Sequence, residues 1–193
     1  MKLSIIIPAY NEEATIAAIV ARVQAVQLPG VDKEIIVVDD GSKDRTGGVL
    51  QSLAGIRVIR HACNAGKGAA VTTGIKAATG DIVIIQDADL EYDPADYQTV
   101  IQPILDNRSD AVMGSRFLLE RPVFFGKRRS PYFTHYAGNM LIVTITNWLY
   151  GKRFTDYEGC YKAFARPVLL ATPVTANGFE FDNELICKIM RKG

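Results

Sequence analysis

Ile82-Val83-Ile84-Ile85-Gln86-Asp87-Ala88-Asp89-Leu90-Glu91 runs four aliphatic residues straight into three acids. A short run that is apolar on both faces reads as a strand buried inside a sheet, with the acids just past its carboxyl end. Side chains two apart in extended backbone point to the same side, so Asp87, Asp89 and Glu91 are expected to converge. Two carboxylates about 7 Å apart at an effective dielectric near 20 repel by roughly 2–3 kcal/mol, and a cation between them relieves that repulsion. All-oxygen ligands point to Mg²⁺ or Mn²⁺, and magnesium characteristically joins one or two carboxylates to substrate phosphates. The plainer reading is an acidic turn that caps the helix behind Pro94.

The same strand-then-polar pattern recurs outward from this stretch. Apolar runs at 5–7, 35–38, 56–59 and 111–113 alternate with helical patterns at about 11–26, 42–53, 69–78 and 95–105. Asn11 is expected to cap the first helix, with Glu12 and Glu13 in its first turn. Apolar strands alternating with helices predict an α/β fold with a mostly parallel central sheet and helices on both faces. Ligands of such sheets bind beyond the carboxyl ends of the strands. Residues 8–11, 39–42, 87–91 and 114–116 are thereby gathered at one rim. A basic and aromatic loop at 116–136, a helix from about 135 to 150, a strand-like 160–165 and a closing helix at 181–190 complete the chain.

A length of 193 residues fits one domain over 1–193. Net charge is +1, so no global field argues for a nucleic-acid partner. The three cysteines are widely spaced and form no CxxC pair, which disfavours a disulfide framework or zinc site and suits a reducing cytoplasm. The start reads as a strand and not as a signal peptide. The longest apolar stretch, 137–150, falls short of the ~20 residues that a spanning helix needs.

Three further clusters face the rim. In Asp39-Asp40-Gly41-Ser42 an acid after a strand can hold ribose or base donors, while Gly41 and Ser42 shape a tight turn. Asn64-Ala65-Gly66-Lys67-Gly68 precedes a helix, where glycines offer an anion nest and Lys67 a point charge. It is not a P-loop, because His61 falls where the first glycine belongs and Gly68 replaces Ser/Thr. Gly114-Ser115-Arg116 ends the fifth strand. Beyond it Arg121, Lys127, Arg128 and Arg129 stand against the single acid Glu120, a set able to hold an anionic acceptor. Phe124, Phe125, Tyr132 and Phe133 could dip into a membrane interface beside them, or fold back on the core.

These motifs, in this order, resemble glycosyltransferase family 2 of the GT-A, or nucleotide-diphospho-sugar transferase, fold. The resemblance is to dolichyl- and polyprenyl-phosphate mannose or glucose synthases. It rests on Ser4 to Glu13, Val37 to Ser42, Asn64 to Gly68, Asp81 to Leu90, Gly114 to Arg116, and Thr155 to Lys162. It implies that Pro8, Tyr10, Glu12 and Asp39 contact the nucleoside. Asp87 and Ala88 would line the diphosphate with Lys67, while Asp89, Asp87 and Glu91 would ligate the metal. Arg116, Arg128 and Arg129 would grip an acceptor phosphate, and Lys188 would lie near the diphosphate. Glu91 departs from the Gln expected there. Relatives continue past Gly193 into a further strand, and some into membrane helices.

The implied reaction is single displacement with inversion, moving a hexose from a GDP-mannose- or UDP-glucose-type donor to a polyprenyl or dolichyl phosphate. The setting is the cytoplasmic membrane face, with the protein peripheral to it. An ionised phosphate oxygen needs no general base, whereas a sugar hydroxyl does. No motif supplies such a base, although Asp156 or Glu158 could serve a saccharide acceptor. A nucleotide-sugar-binding protein without transferase activity is the third alternative.

Overall fold

The computed structural model describes residues 1–115, 133–156 and 161–192. The chain divides into two compact units, 1–112 with 161–193, and 113–160. In the first unit β1 (Lys2–Ala9), β2 (Asp32–Asp39), β3 (Arg57–Arg60) and β4 (Ile82–Ile85) alternate with α1 (Ile16–Ala25), α2 (Thr46–Gln51) and α3 (Lys67–Ala77). α4 (Tyr97–Leu105) follows a 3₁₀ turn at Pro94–Asp96, and β5 (Ala111–Met113) comes next. The long helix α5 (Phe133–Tyr150) belongs to the second unit, and β6 (Lys162–Ala165), α6 (Arg166–Leu170) and α7 (Glu180–Met190) close the chain.

The sheet order is β3-β2-β1-β4-β6-β5. β1 pairs in parallel with β2 and β4, and β2 with β3, whereas β6 lies antiparallel to β4. Side chains along β1 divide strictly by the pleat. Leu3, Ile5 and Ile7 pack with Ile16, Ile19 and Val23 of α1 and Tyr97 and Ile101 of α4. Ile6 packs on the opposite face with Ala70 and Val71 of α3 and Phe181 and Leu185 of α7. Both faces are apolar because both are covered, which is why these strands carry no alternating polar residues.

The first helix differs from expectation. Asn11 is not its cap: the residue adopts the left-handed conformation (φ 58°), and the helix begins at Ile16 with no acid in its first turn. The Asn11 N–H donates to Ser42 Oγ (3.0 Å), and Asn11 Oδ1 accepts from the Lys43 N–H (2.9 Å). The end of β1 is thus stapled to the turn after β2, and a tertiary contact takes the side chain that a cap would use. α2 is likewise shorter than expected, beginning only after Asp44 Oδ1 accepts the Thr46 N–H (2.9 Å).

At the opposite rim Glu34 ties three segments together. Its carboxylate accepts from Ser4 Oγ, Thr79 N (2.6 Å), Thr79 Oγ1 (2.8 Å) and Gly80 N (3.1 Å), and pairs with Lys2 Nζ (2.7 Å). Burial alone raises its pKa, but the bonds from Lys2, Ser4 and Thr79 outweigh burial and hold it at about 2 against an ordinary 4.5. A depressed carboxyl pKa contributes stability that is full above pH 4.5 and is lost as pH falls toward 2. Solvent screening at this partly exposed rim reduces its contribution to about 1 kcal/mol. Thermal melts from pH 6 to pH 2 are therefore expected to show a drop below pH 4.5 that Glu34→Gln makes shallower, Glu184 contributing the same way; an unchanged slope in the variant would refute the assignment.

Candidate active site

Three strand ends of the first unit build the rim. β2 ends in Asp39, which is fully buried. Its Oδ1 accepts the Ser42 N–H (2.9 Å), closing the turn at Gly41. Gly41 has φ +72°, and a Cβ there would stand 2.6 Å from the Cys63 carbonyl carbon, so both backbone and space require glycine. Asp39 Oδ2 lies 3.2 Å from Arg60 Nε, yet this buried oxygen has no hydrogen-bond partner among the described residues. Buried acceptors are nearly always satisfied, so an open one marks a place for a ligand donor. A cavity of about 440 Å³ opens at the turn after β2, lined by Tyr10, Gly41, Arg60, His61, Cys63 and Asn64 among others; Asp39 itself does not line it and is linked to it through its partner Arg60. Pro8 and Glu12 do not line it. Glu12 Oε2 instead accepts from Thr15 Oγ1 (2.5 Å) at the start of α1.

Asp40 performs a separate task, which the sequence did not disclose. Its Oδ2 accepts the N–H groups of Ala65 (3.2 Å) and Gly66 (2.8 Å), and Oδ1 meets His61 Nδ1 (2.6 Å). His61 Nε2 in turn contacts Thr73 Oγ1 on α3 (2.9 Å). The expected anion nest is therefore corrected: the amides of 65 and 66 are spent on a carboxylate of the protein itself. The glycines serve another purpose as well. A Cβ on Gly66 (φ +100°) would lie 2.3 Å from the Asn177 carbonyl oxygen, and one on Gly68 2.7 Å from that of Ala176. The segment leading into α7 presses directly on the loop, and the Ala69 N–H donates to Asn177 O (3.2 Å).

This packing aims Lys67 at the acidic turn. Lys67 Nζ lies 2.6 Å from Asp87 Oδ1 and 6.0 Å from the centre of the Phe179 ring. Beneath the turn, Gln86 is buried, and its Oε1 accepts from the hydroxyls of Tyr97 (2.7 Å) and Tyr161 (3.3 Å). Its amide nitrogen donates to the Asp87 carbonyl (2.9 Å), fixing where the turn leaves the sheet. Burial raises the Tyr97 pKa, so its hydroxyl keeps the proton it donates.

The extended alternation expected through 87–91 does not persist. Ala88 and Asp89 form a turn, Leu90 is left-handed (φ 65°), and Asp89 Oδ1 accepts the Glu91 N–H (3.1 Å). The convergence of Asp87, Asp89 and Glu91 is thereby corrected: among the described residues no three acids, histidines or cysteines are placed to hold a metal. Asp87 is half-buried and Asp89 exposed, so a cation held there would take its remaining ligands from phosphate and water, as magnesium commonly does. Ala88 is buried beneath them.

Lys188, on α7, is engaged by groups of the protein itself. Its Nζ donates to the Pro173 carbonyl (2.7 Å) and to Glu184 Oε1 (2.5 Å), one helical turn back on α7. A buried cation that was assigned no role, Lys162, stands opposite Ile85 on β6 and pairs with Asp182 (3.3 Å). Arg116, Arg128, Arg129 and Glu158 lie outside the described residues, while Asp156 is buried.

An α/β sheet of this order, with a cavity at the end of β2 and an acidic turn after β4, has the architecture of the GT-A fold. Residues 4–169 match the model of glycosyl transferase family 2. The chain belongs to that family. It is 40% identical over 121 residues to the dolichol-phosphate mannosyltransferase of Pyrococcus furiosus, covering 61% of this chain and 34% of the relative. It is 32% identical to the UDP-N-acetylglucosamine–dolichyl-phosphate N-acetylglucosaminyltransferase of Methanococcus voltae, over 94% of this chain and 77% of the relative. The chain thus spans about a third of the Pyrococcus relative. Glucosyl-3-phosphoglycerate synthase of Mycobacterium tuberculosis, crystallised with Mn²⁺, UDP and phosphoglyceric acid, shares the fold. The TM-score is 0.75 at 23% identity, covering 99% of this chain and 64% of that one.

Proposed function

We propose that the chain catalyses inverting transfer of a hexose from a nucleotide-diphosphate sugar to a polyprenyl or dolichyl phosphate at a membrane surface. One observation carries the reading. A single loop, 63–67, contributes Cys63 and Asn64 to the cavity wall and delivers Lys67 to Asp87, so one segment connects the proposed nucleoside and diphosphate positions. The relatives named for transfer to dolichyl phosphate support the acceptor class.

In this reading Tyr10 packs on the base, and Asp39 Oδ2 accepts a base or ribose donor. Lys67 receives a phosphate oxygen. Asp87 and Asp89 would hold Mg²⁺ or Mn²⁺, which supplies neutralisation of the charge gathering on the departing diphosphate. The acceptor phosphate is ionised at neutral pH and attacks without a protein base. Arg116, with Arg128 and Arg129, orients that phosphate. Arg116→Ala is expected to raise the acceptor KM by about 10- to 100-fold, the size of one lost charged hydrogen bond, with donor affinity unchanged. An unaltered acceptor KM would count against that role.

Labelled nucleotide sugars incubated with Mg²⁺ and polyprenyl phosphate test the whole reading. Label in the lipid phase supports it. Label on a saccharide, or donor binding without turnover, replaces it with one of the alternatives.

A further inference from the structure

The second unit carries an apolar surface that the reaction does not use. On α5, Leu141 (61% exposed), Ile142 (43%), Ile145 (47%), Trp148 (81%) and Leu149 (61%) all face outward, while Val143 and Thr146 are buried. At 100° per residue the five fall within an arc of about 120°. They form one continuous stripe. Thr144, beside it, turns its hydroxyl back onto the Met140 carbonyl (2.7 Å), so it presents a methyl more than a donor. No Asp, Glu, Lys or Arg occurs from 133 to 150.

The helix end is built to present positive charge. Asn147 clasps Phe154 through two hydrogen bonds, side-chain N–H to carbonyl and backbone N–H to Asn147 Oδ1, both 2.8 Å. Gly151 (φ 62°) allows the tight reversal, and the Lys152 N–H returns to the Asn147 carbonyl (3.2 Å). Past this clasped turn Lys152 and Arg153 are both exposed, within five residues of Trp148 and Leu149 in the chain.

We infer that this face of α5 docks in the plane of an anionic membrane interface. An apolar stripe of this width on an uncharged helix belongs in a low-dielectric medium, and no helix of the described residues is long and apolar enough to cross a membrane. An indole at the stripe's edge, with two exposed cations following the helix end, matches the boundary between acyl chains and anionic headgroups. A second copy of the chain is the poorer occupant, because the helix offers no acid to meet Lys152 and Arg153 across a two-fold pair. The inference deepens the proposed function by bringing the protein to the surface where a lipid phosphate resides, and rests on that function only for its purpose.

Trp148 is the only tryptophan, so its fluorescence reports the contact directly. The full chain is titrated with phosphatidylcholine vesicles containing phosphatidylglycerol, without nucleotide or polyprenyl phosphate. Emission is expected to shift to the blue and acrylamide quenching to fall. Ile145→Gln/Leu149→Gln should weaken partitioning at least about 10-fold. Lys152→Gln/Arg153→Gln should weaken it by about fivefold per charge at low salt. Circular dichroism confirms that each variant folds. An absent shift, a shift equal on neutral vesicles, or a vesicle-independent shift accompanying dimerisation in sedimentation overturns the inference. Transfer to a short, water-soluble prenyl phosphate separates the two proposals. Vesicle-binding variants that retain this transfer support docking apart from chemistry. Vesicle binding without transfer to any prenyl phosphate sinks the proposed acceptor and leaves docking standing.

Discussion

Asp89→Asn is expected to lower sugar transfer by at least about 100-fold while leaving the melting temperature within about a degree of the parent. The asymmetry follows from where the side chain sits. Asp89 is exposed, and within the protein its Oδ1 accepts the Glu91 N–H, a bond that an amide oxygen accepts equally well. The turn at 88–90 therefore survives. What changes is one full negative charge at the position proposed to anchor the cation, and the loss of charge stabilisation in the transition state is expected to be several kcal/mol. Initial rates over a range of Mg²⁺ and Mn²⁺ concentrations, beside a thermal melt, decide the matter. Near-parental turnover at saturating metal would remove Asp89 from the mechanism. Asp87 is a less clean target, since its replacement also releases Lys67.

The second large effect is on stability. Gly66→Ala is expected to destabilise the protein by about 3 kcal/mol or more, which for a chain of this length lowers the melting temperature by roughly 6–12 °C. Two penalties coincide. A φ of +100° is outside what an L side chain adopts readily, and the new methyl would stand 2.3 Å from the Asn177 carbonyl oxygen. Relief by backbone movement breaks either the Gly66 N–H bond to Asp40 or the Ala69 N–H bond to Asn177. Gly48→Ala is the control: it lies in α2, a Cβ there meets nothing within 4 Å, and the change should be neutral or slightly stabilising. Equal melting temperatures for the two variants would show that the contact with Asn177 is soft.

Much of this was legible in the sequence, and the reason is local. Ile5-Ile6-Ile7 and Ile82 to Ile85 are apolar at every position because the sheet is covered twice, so a parallel sheet and its reactive rim could be inferred without partners. Asp39 and Asp87 were found because they follow such runs. What escaped notice was decided at long range. Asn11 has the chemistry of a cap, yet Ser42 and Lys43, more than thirty residues on, claim it. Gln86 looks unremarkable until Tyr97 and Tyr161 meet over its amide. Asp39 and Asp40 are chemically identical neighbours, and only the pleat separates one that closes the turn at Gly41 and pairs with Arg60 from one that holds a loop. The departure of Leu90 into the left-handed region, which ends the expected alternation of acids, has no signature in its side chain. For Lys188 a local signal did exist: Glu184 lies four residues earlier on the same helix, a spacing that pairs them.

The grip of Asp40 on residues 65 and 66, together with the contact of Gly41 against Cys63, leaves the backbone around the cavity after β2 almost no freedom to drift. Under the proposed function, donor preference is then set by the side chains that project from this frame into the cavity, such as Tyr10, Arg60 and Cys63. Attempts to retune the donor by remodelling the loop itself would dismantle the frame before altering its choice.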